Sequence, residues 1–154
     1  MGTIVAICIS EKKGTRKRPV SCAQLLVAHG VENDAHADDG LRQVSLLSFE
    51  KIEDFKKQGA VVSYGDFGEN LVVEGIDFTS LPLGTKLAAG DALLELTQHG
   101  KECHERCAIY HAMGDCIMPK QGVFAKVLKS GIIQEGDTMT VAFLNAAEKT
   151  PCTQ

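Results

Sequence analysis

Three of the six cysteines in this chain fall within one short, charged segment, residues 101–116. A thiolate is both a nucleophile and a soft metal ligand, so the pKa of each thiol governs the chemistry it can do. Cys103 has three basic side chains within three residues along the chain, which favour the thiolate, and two glutamates that oppose it. A lowered pKa of Cys103, and with it a nucleophilic thiolate, is therefore a hypothesis.

The remaining cysteines leave other interpretations of this segment open. Cys107 follows Cys103 by one helical turn, so the two thiols could form a thiol–disulfide relay. Together with Cys116 they could bind zinc or an iron–sulfur cluster, although their spacing is not that of a zinc ribbon. Cys103 could also be a small buried core residue. Cys8 and Cys22 lie in apolar, strand-like stretches and are predicted to belong to the core.

The elements that must position these cysteines are mostly strands. Three Gly-Asp pairs, at residues 65–66, 90–91 and 136–137, each precede an apolar stretch of strand-forming residues. Because Gly and Asp favour tight turns, these pairs predict antiparallel strands that repeat along the chain. The β-branched run at residues 3–10 predicts a first strand, and the alternation over residues 42–47 predicts another.

One short helix is predicted between these strands. Apolar residues recur at helical spacing over residues 49–55, Ser48 can cap this helix, and Gly59 can end it. Residues 104–113 are a second helix candidate, and the basic, Pro-containing stretch at residues 11–19 is predicted to be a loop. The fold class is therefore mainly β, a closed or nearly closed β-barrel with one or two short helices.

Composition bounds the function further. The 154 residues are 44% hydrophobic and 23% charged, as expected for one globular domain. A net charge of −4 and an aromatic content of 5% without Trp argue against nucleic-acid binding. No apolar run is long enough to cross a membrane, and the N-terminus lacks signal-peptide features. We therefore expect a cytoplasmic protein whose thiols stay reduced.

Several motifs of the chain follow one another in a recognisable order. They are Asp34-Ala35-His36-Ala37, Arg42-Gln43-Val44-Ser45-Leu46-Leu47, Gly65-Asp66-Phe67-Gly68-Glu69-Asn70-Leu71, Gly100-Lys101-Glu102-Cys103 and Glu135-Gly136-Asp137. This order resembles the MOSC family, which is named after the C-terminal domain of molybdenum-cofactor sulfurases. The resemblance implies a stand-alone MOSC-like β-barrel domain over residues 1–145, followed by a frayed tail over residues 146–154.

The resemblance also implies a role around the molybdenum cofactor. Cys103 matches the family's cysteine and would be a persulfide carrier or a molybdenum ligand. No pyridoxal-phosphate domain fits in this chain, so sulfur would come from a partner such as a cysteine desulfurase. Molybdenum enzymes or cofactor-synthesis proteins would be the other partners. Two alternatives remain: a non-catalytic carrier of the cofactor, and a small thiol-redox or zinc or iron–sulfur protein.

The anionic end of a molybdopterin-type ligand would need basic residues. The candidates are Lys13, Arg16 and Arg18 in the basic loop, which could instead be a solvated turn or a docking patch. Arg42 can form bidentate bonds to a phosphate or the pterin. His36 matches a family motif and could act as a proton donor.

Further candidates carry amide, hydroxyl or carboxylate groups. Gln43 and Ser45 could contact the pterin ring from the strand face opposite Arg42. Asp66 and Asn70 flank a glycine-containing turn and are candidate ligand contacts, although bonding to their own backbone is at least as good an explanation. The aspartates around His36, at residues 34, 38 and 39, are expected to be solvated.

Overall fold

The computed structural model of this protein describes residues 2–10, 17–34, 40, 43–100 and 122–142. These residues form eleven strands, one α-helix and one 3-10 turn at Phe78–Ser80. The strands and the helix are, in chain order, β1 (Gly2–Ile9), β2 (Arg18–Val20), β3 (Cys22–Leu26), β4 (Gly30–Val31), β5 (Val44–Ser48), α1 (Phe49–Lys57), β6 (Leu71–Glu74), β7 (Lys86–Ala89), β8 (Ala92–His99), β9 (Val123–Lys129), β10 (Gly131–Gln134) and β11 (Thr138–Ala142).

Seven of these strands close into a barrel. Their order is β1-β6-β5-β9-β8-β7-β11, and β11 pairs back to β1. All neighbours are antiparallel except β5 and β6, which are parallel and joined through α1. A second, three-stranded sheet has the order β10-β3-β4. The predicted mainly β barrel is confirmed, and each of the three Gly-Asp turns precedes a strand as expected.

The barrel wall separates two hydrophobic cores. The larger one fills the barrel with residues from all seven strands, among them Leu46, Leu71 and Val123. The smaller one lies on the outer side of the wall, where Ile52 and Phe55 of α1 pack against outward-facing strand residues. β5 contributes to both cores because its side chains alternate, as the sequence pattern predicts. No described helix is long and apolar enough to span a lipid bilayer.

The helix is where the sequence predicts it, but the residue before it, Ser48, plays another role. Ser48 occupies the N-cap position, yet its hydroxyl makes no capping bond and donates instead to the carbonyl oxygen of Ile76 at 2.6 Å. The predicted Ser48 cap is therefore wrong, since the hydroxyl tethers the strand end to a neighbouring loop. Gly59 does end the helix, with φ of +109°. The second helix candidate, residues 104–113, and the tail at 146–154 lie outside the described residues.

Two local expectations are corrected by the strand pairing. Arg18 and Pro19 belong to β2, whereas the sequence predicts a loop there; Pro19 pairs with Cys8 at the edge of the sheet. An edge strand tolerates Pro because no neighbour needs its missing N–H. Cys22 is exposed at the start of β3 and is not a core residue, while Cys8 is fully buried as predicted. Alternation puts one face of the short strand β3 towards solvent.

One glycine permits a close backbone approach. Gly65 has φ of +95°, and a Cβ at this position would collide with the carbonyl oxygen of Lys17. The backbone N–H of Lys17 donates to the carbonyl oxygen of Gly65 at 3.3 Å, so the two segments are also bonded. Only glycine combines this conformation with this contact.

We expect Gly65→Ala to destabilise the protein much more than Gly59→Ala. Both positions have positive φ, which costs an alanine about 1–2 kcal/mol. A Cβ on Gly59 would have no atom within 4 Å, whereas one on Gly65 would overlap Lys17 and cost roughly 1–3 kcal/mol more. Urea denaturation of both variants measures the difference. Equal losses would show that the contact with Lys17 does not constrain the fold.

Candidate functional site

Buried polar side chains are concentrated on one part of the outer barrel wall. Of the nine buried polar or charged residues in the described part of the chain, seven come from the end of β1, the start of β5 and the segments around them: Ser10, Lys17, Asp34, Gln43, Ser45, Glu69 and Asn70. We call these seven residues the polar cluster. Burial of so many polar groups is costly unless they are paired, so their partners determine what the cluster can do.

The centre of the polar cluster is an ion pair between Lys17 and Asp34. The ammonium of Lys17 lies 2.7 Å from Oδ1 of Asp34, and the two side chains are only 2% and 0% exposed. The backbone N–H of Ser10 donates to the same oxygen at 2.9 Å. One carboxylate oxygen therefore joins the residue after β1, the residue before β2 and the turn that follows β4.

This environment fixes the charge of Asp34. Burial alone would raise the pKa of Asp34, but the hydrogen bonds from Lys17 and from the N–H of Ser10, together with the charge of Lys17, lower it below its ordinary value. Asp34 is therefore ionised at neutral pH. The expectation that the aspartates around His36 are solvated is wrong for Asp34, because a lysine distant in sequence pairs with it inside the fold.

Two atoms of the polar cluster, Oδ2 of Asp34 and the hydroxyl oxygen of Ser10, are buried and make no hydrogen bond within the described part of the chain. The side-chain amide of Asn70 also lies close enough to Asp34 to help lower its pKa. An unpaired buried polar group costs about 1–3 kcal/mol, so native structures contain few of them.

Ser45 and Asn70 link three strands of the wall. The side-chain oxygen of Asn70 accepts the backbone N–H of Ser45 at 3.0 Å, and its amide group donates to the carbonyl oxygen of Cys8 at 3.0 Å. The Ser45 hydroxyl donates to the carbonyl oxygen of Gly68 at 3.0 Å. The structure thus brings these two predicted site residues together, but in bonds that stabilise the barrel.

Gln43 is similarly engaged by the backbone. Its amide nitrogen donates to the carbonyl oxygen of Gly40 at 2.9 Å, and its amide oxygen accepts the N–H of Val127 at 2.9 Å. These bonds fix the chain directly after Arg42 and join it to β9. Gln43 thus holds the start of β5 in place. A contact between Gln43 and a pterin stays a prediction.

The turn before β6 is organised by two carboxylates. Asp66 accepts the backbone N–H of Ser63 at 2.9 Å, which is the turn chemistry considered for it from the sequence. Glu69 is fully buried and accepts the N–H groups of Gly65 at 2.8 Å and Phe67 at 3.1 Å. Burial raises the pKa of Glu69 to about 7, although these backbone bonds oppose the rise. Sequence reasoning missed Glu69, although it lies within the motif that contains Asp66 and Asn70.

The buried thiol of Cys8 lacks what a nucleophile requires. Burial, and secondarily the charge of Glu69, raise the pKa of Cys8 to about 12, so this residue is a neutral thiol in the outer core. Among the described residues, no three His, Cys, Asp or Glu side chains are placed to hold a metal ion. The predicted site residues Lys13, Arg16, His36, Arg42, Cys103, Cys107 and Cys116 lie outside the described residues. Arg18 lies in the exposed part of β2.

Comparison with known proteins agrees with this architecture. The family model for the MOSC domain matches residues 32–140. The structure is similar to YiiM from Geobacillus stearothermophilus, with a TM-score of 0.72 and 23% identity over 93% of this chain and 76% of that one. It is also similar to YuaD from Bacillus subtilis, with a TM-score of 0.69 and 17% identity over 90% of this chain and 93% of that one. These likenesses show the fold, and no curated protein matches the sequence.

We expect the stability of the protein to fall as the pH rises from about 4.5 to about 7. The raised pKa of Glu69 means that the folded state binds its proton more tightly than the unfolded chain does. This contribution is complete below the unfolded pKa of 4.5 and is lost as the pH rises through about 7. A rise from 4.5 to about 7 corresponds to about 3 kcal/mol.

Urea denaturation at a series of pH values measures this slope. Glu69→Gln should flatten it, and Glu32→Gln, which changes an exposed carboxyl group, should leave it as in the wild type. The lowered pKa of Asp34 acts in the opposite direction and below this window, because its stabilisation is lost only as the pH falls below about 4. A slope that survives in Glu69→Gln would contradict the assignment.

Proposed function

This chain belongs to the MOSC family, and on that premise we propose that it carries sulfur for the molybdenum cofactor. The family gives it a molybdenum-cofactor-associated role in general. In the proposed reaction, the thiolate of Cys103 attacks the outer sulfur of a persulfide on a cysteine desulfurase or another sulfur donor. A sulfur–sulfur bond forms on Cys103 as the donor's bond breaks, the donor leaves as a thiolate, and no net oxidation occurs.

The observation that carries this proposal is the bond at the base of the cysteine segment. The N–H of Gly100 donates to the carbonyl oxygen of Gly122 at 2.6 Å, directly beyond the β8–β9 pair. Gly100 and Gly122, the described residues on either side of residues 101–121, thus lie next to each other. Cys103 follows Gly100 by three residues, so chain length limits the separation of their Cα atoms to about 11 Å. A rigid base of this kind suits a thiol that must meet a donor and an acceptor in turn.

The polar cluster lies on the same outer wall as this base. A row of paired residues crosses the wall through Gln98, Phe124, Ser45, Asn70 and Cys8. At about 4.8 Å for each strand step, the row spans about 19 Å. Cys103 can lie up to the stated distance from Gly100, and a ligand of pterin-phosphate size adds its own length. Together these two lengths can cover the row. The cofactor is therefore proposed to lie along the wall between the two features.

The described residues fit one end of such a cofactor better than the other. Asp34 and Ser10 offer acceptor oxygens, which match the N–H groups of a pterin in chemistry. The ammonium of Lys17 is already neutralised by Asp34 and is a poor partner for a phosphate. We therefore assign the phosphate to the basic residues Lys13, Arg16, Arg18 and Arg42, and proton donation to His36. When bound, the cofactor would supply the molybdenum that accepts the sulfur or is ligated by Cys103.

A second candidate function needs only the polar cluster and Cys103. A ligand-binding cluster needs no turnover, so the chain could carry the molybdenum cofactor without transferring sulfur, with Cys103 as a metal ligand. In either case we propose one domain over residues 1–145, a cytoplasmic location and molybdenum enzymes or cofactor-synthesis proteins as partners. Cys107 and Cys116 remain low-ranked metal candidates, and pyridoxal phosphate is not expected in this chain.

The sulfur-carrier proposal predicts a persulfide on Cys103. We expect incubation with a cysteine desulfurase and cysteine to add the mass of one sulfur atom to the protein, and peptide mapping to place it on Cys103. Cys103→Ala should abolish the gain. Cys22→Ala is the matched control because it removes an exposed thiol on β3, and it should gain sulfur as the wild type does.

Two results would contradict sulfur carrying. One is the absence of added sulfur on Cys103 although the desulfurase forms its own persulfide in the same mixture. The other is sulfur that appears on Cys22 and Cys103 alike and is lost in part with either variant, which indicates unselective labelling. A native protein that then contains pterin would point to the carrier function instead.

A further inference from the structure

We propose that the outward side of the second sheet, β10-β3-β4, is the contact surface for a second copy of this chain. This inference goes beyond the proposed function and does not depend on it. Three features of the sheet support it: an exposed apolar centre, an outward side without charged groups, and opposite charges at the two ends of β10.

Alternation along the strands gives this sheet an inner and an outer side. Leu25 of β3 and Ile133 of β10 are buried in the larger core, so their neighbours along each strand point outward. The outward side carries Cys22, Gln24, Leu26, Ile132 and Gln134. Ile132 is 53% exposed, and Val27, directly after β3, is exposed as well. Half of the four exposed large hydrophobic side chains in the described part of the chain thus belong to this sheet or its turn.

The outward side of β3 and β10 carries no charged side chain. The protein has a net charge of −4, and identical charged surfaces repel each other when two copies meet. A neutral side can approach its own copy without that repulsion. Its amide groups, on Gln24 and Gln134, both donate and accept hydrogen bonds, so an amide can pair with the same amide of a second copy.

The charges at the ends of β10 determine how two copies can be aligned. Lys129 lies three residues before Ile132 and Glu135 three residues after it, and both charged side chains are exposed. When two such sheets pack face to face with their β10 strands antiparallel, Lys129 of each copy lies above Glu135 of the other. Parallel strands would instead bring like charges together at both ends. Charge complementarity therefore favours a two-fold axis that crosses β10 at Ile132.

The same axis aligns the rest of the outward side with groups of matching chemistry. Ile132 and Gln24 are directly opposite each other in the β10–β3 register, so each meets its own counterpart in the second copy. Cys22 and Leu26 lie two residues to either side of Gln24, so the thiol of one copy meets the apolar side chain of the other. A symmetric contact requires a surface that complements itself in this way.

The free edge of β10 does not offer a competing mode of association. A Cβ on Gly90 would collide with the carbonyl oxygen of Ile132, and a Cβ on Gly131 would collide with the backbone of Asp91. The turn between β7 and β8 therefore packs against the backbone of β10. Because this turn occupies the edge, a second copy cannot add a strand there, and contact through the outward side is favoured.

The size of the outward side makes the expected dimer weak. At about 3.3 Å for each residue and about 4.8 Å for each strand, three strands of five residues cover about 240 Å². A stable complex buries about 800 Å² on each partner. Complexes of that full size begin in the micromolar range, so we expect a reversible dimer with a Kd between about 1 μM and 1 mM.

Sedimentation equilibrium of the full chain over this concentration range tests for the dimer. Ile132→Glu should abolish it, because two carboxylates would face each other across the axis. Since Ile132 is exposed, the variant should keep its fold, which circular dichroism checks. Leu83→Glu is the matched control: Leu83 is 51% exposed but lies outside the second sheet, so this variant should dimerise as the wild type does.

A charge reversal tests the antiparallel alignment. Lys129→Glu places a carboxylate above Glu135 of the other copy at both ends of the contact and should weaken the dimer about 5–10-fold. Glu135→Lys should weaken it by a similar factor, because two ammonium groups then meet. The variant with both substitutions restores opposite charges in exchanged positions, so its Kd should return to within about 2-fold of the wild-type value. A role of these residues in folding alone would not produce this rescue.

Three results would overturn the proposal. A wild type that remains monomeric up to about 1 mM has no such contact. A dimer that persists in Ile132→Glu uses another surface. A double charge reversal that is as weak as the single variants, or weaker, shows that Lys129 and Glu135 do not meet across the axis. A concentration-dependent dimer that is lost in Ile132→Glu, kept in Leu83→Glu and rescued by the double reversal supports it.

Discussion

The buried ion pair between Lys17 and Asp34 is the interaction on which the rest of the site depends. Two opposite charges out of water are tolerated only with close contact and further hydrogen bonds, and Asp34 has both in its 2.7 Å contact and its bond from Ser10. The pair joins parts of the chain that the barrel alone would not hold together. It also keeps Asp34 ionised, which determines the kind of ligand the cluster can accept.

The barrel itself could be predicted from local sequence signals. The alternation in β5 and the Gly-Asp turns each arise from interactions between residues that are close in the chain, and the structure confirms them. The errors concern residues whose partners are distant in sequence. Asp34 looks like part of a solvated acidic turn because Lys17 is 17 residues away, and Ser48 looks like a helix cap because its partner Ile76 follows 28 residues later.

The sequence indicates where the candidate site residues lie better than it indicates which contacts they make. Gln43, Ser45, Asp66 and Asn70 come from motifs that do converge on one wall, but their polar groups bond the protein's own backbone. Asp34 lies in one of the same motifs, and Ser10 and Lys17 in none, yet these three form the centre of the polar cluster. Whether a buried polar atom is satisfied depends on the assembled fold, so the unpaired oxygens could not be inferred from residue types.

A double-mutant cycle on the ion pair tests the central claim, that Lys17 and Asp34 act as one unit. The free energy of unfolding is measured by urea denaturation for the wild type, Lys17→Met, Asp34→Asn and the double variant. Each single change leaves a buried charge without its partner and should cost about 3–5 kcal/mol, whereas the double change should cost no more than either single one. Losses that add to within about 0.5 kcal/mol would show two independent residues and contradict the account.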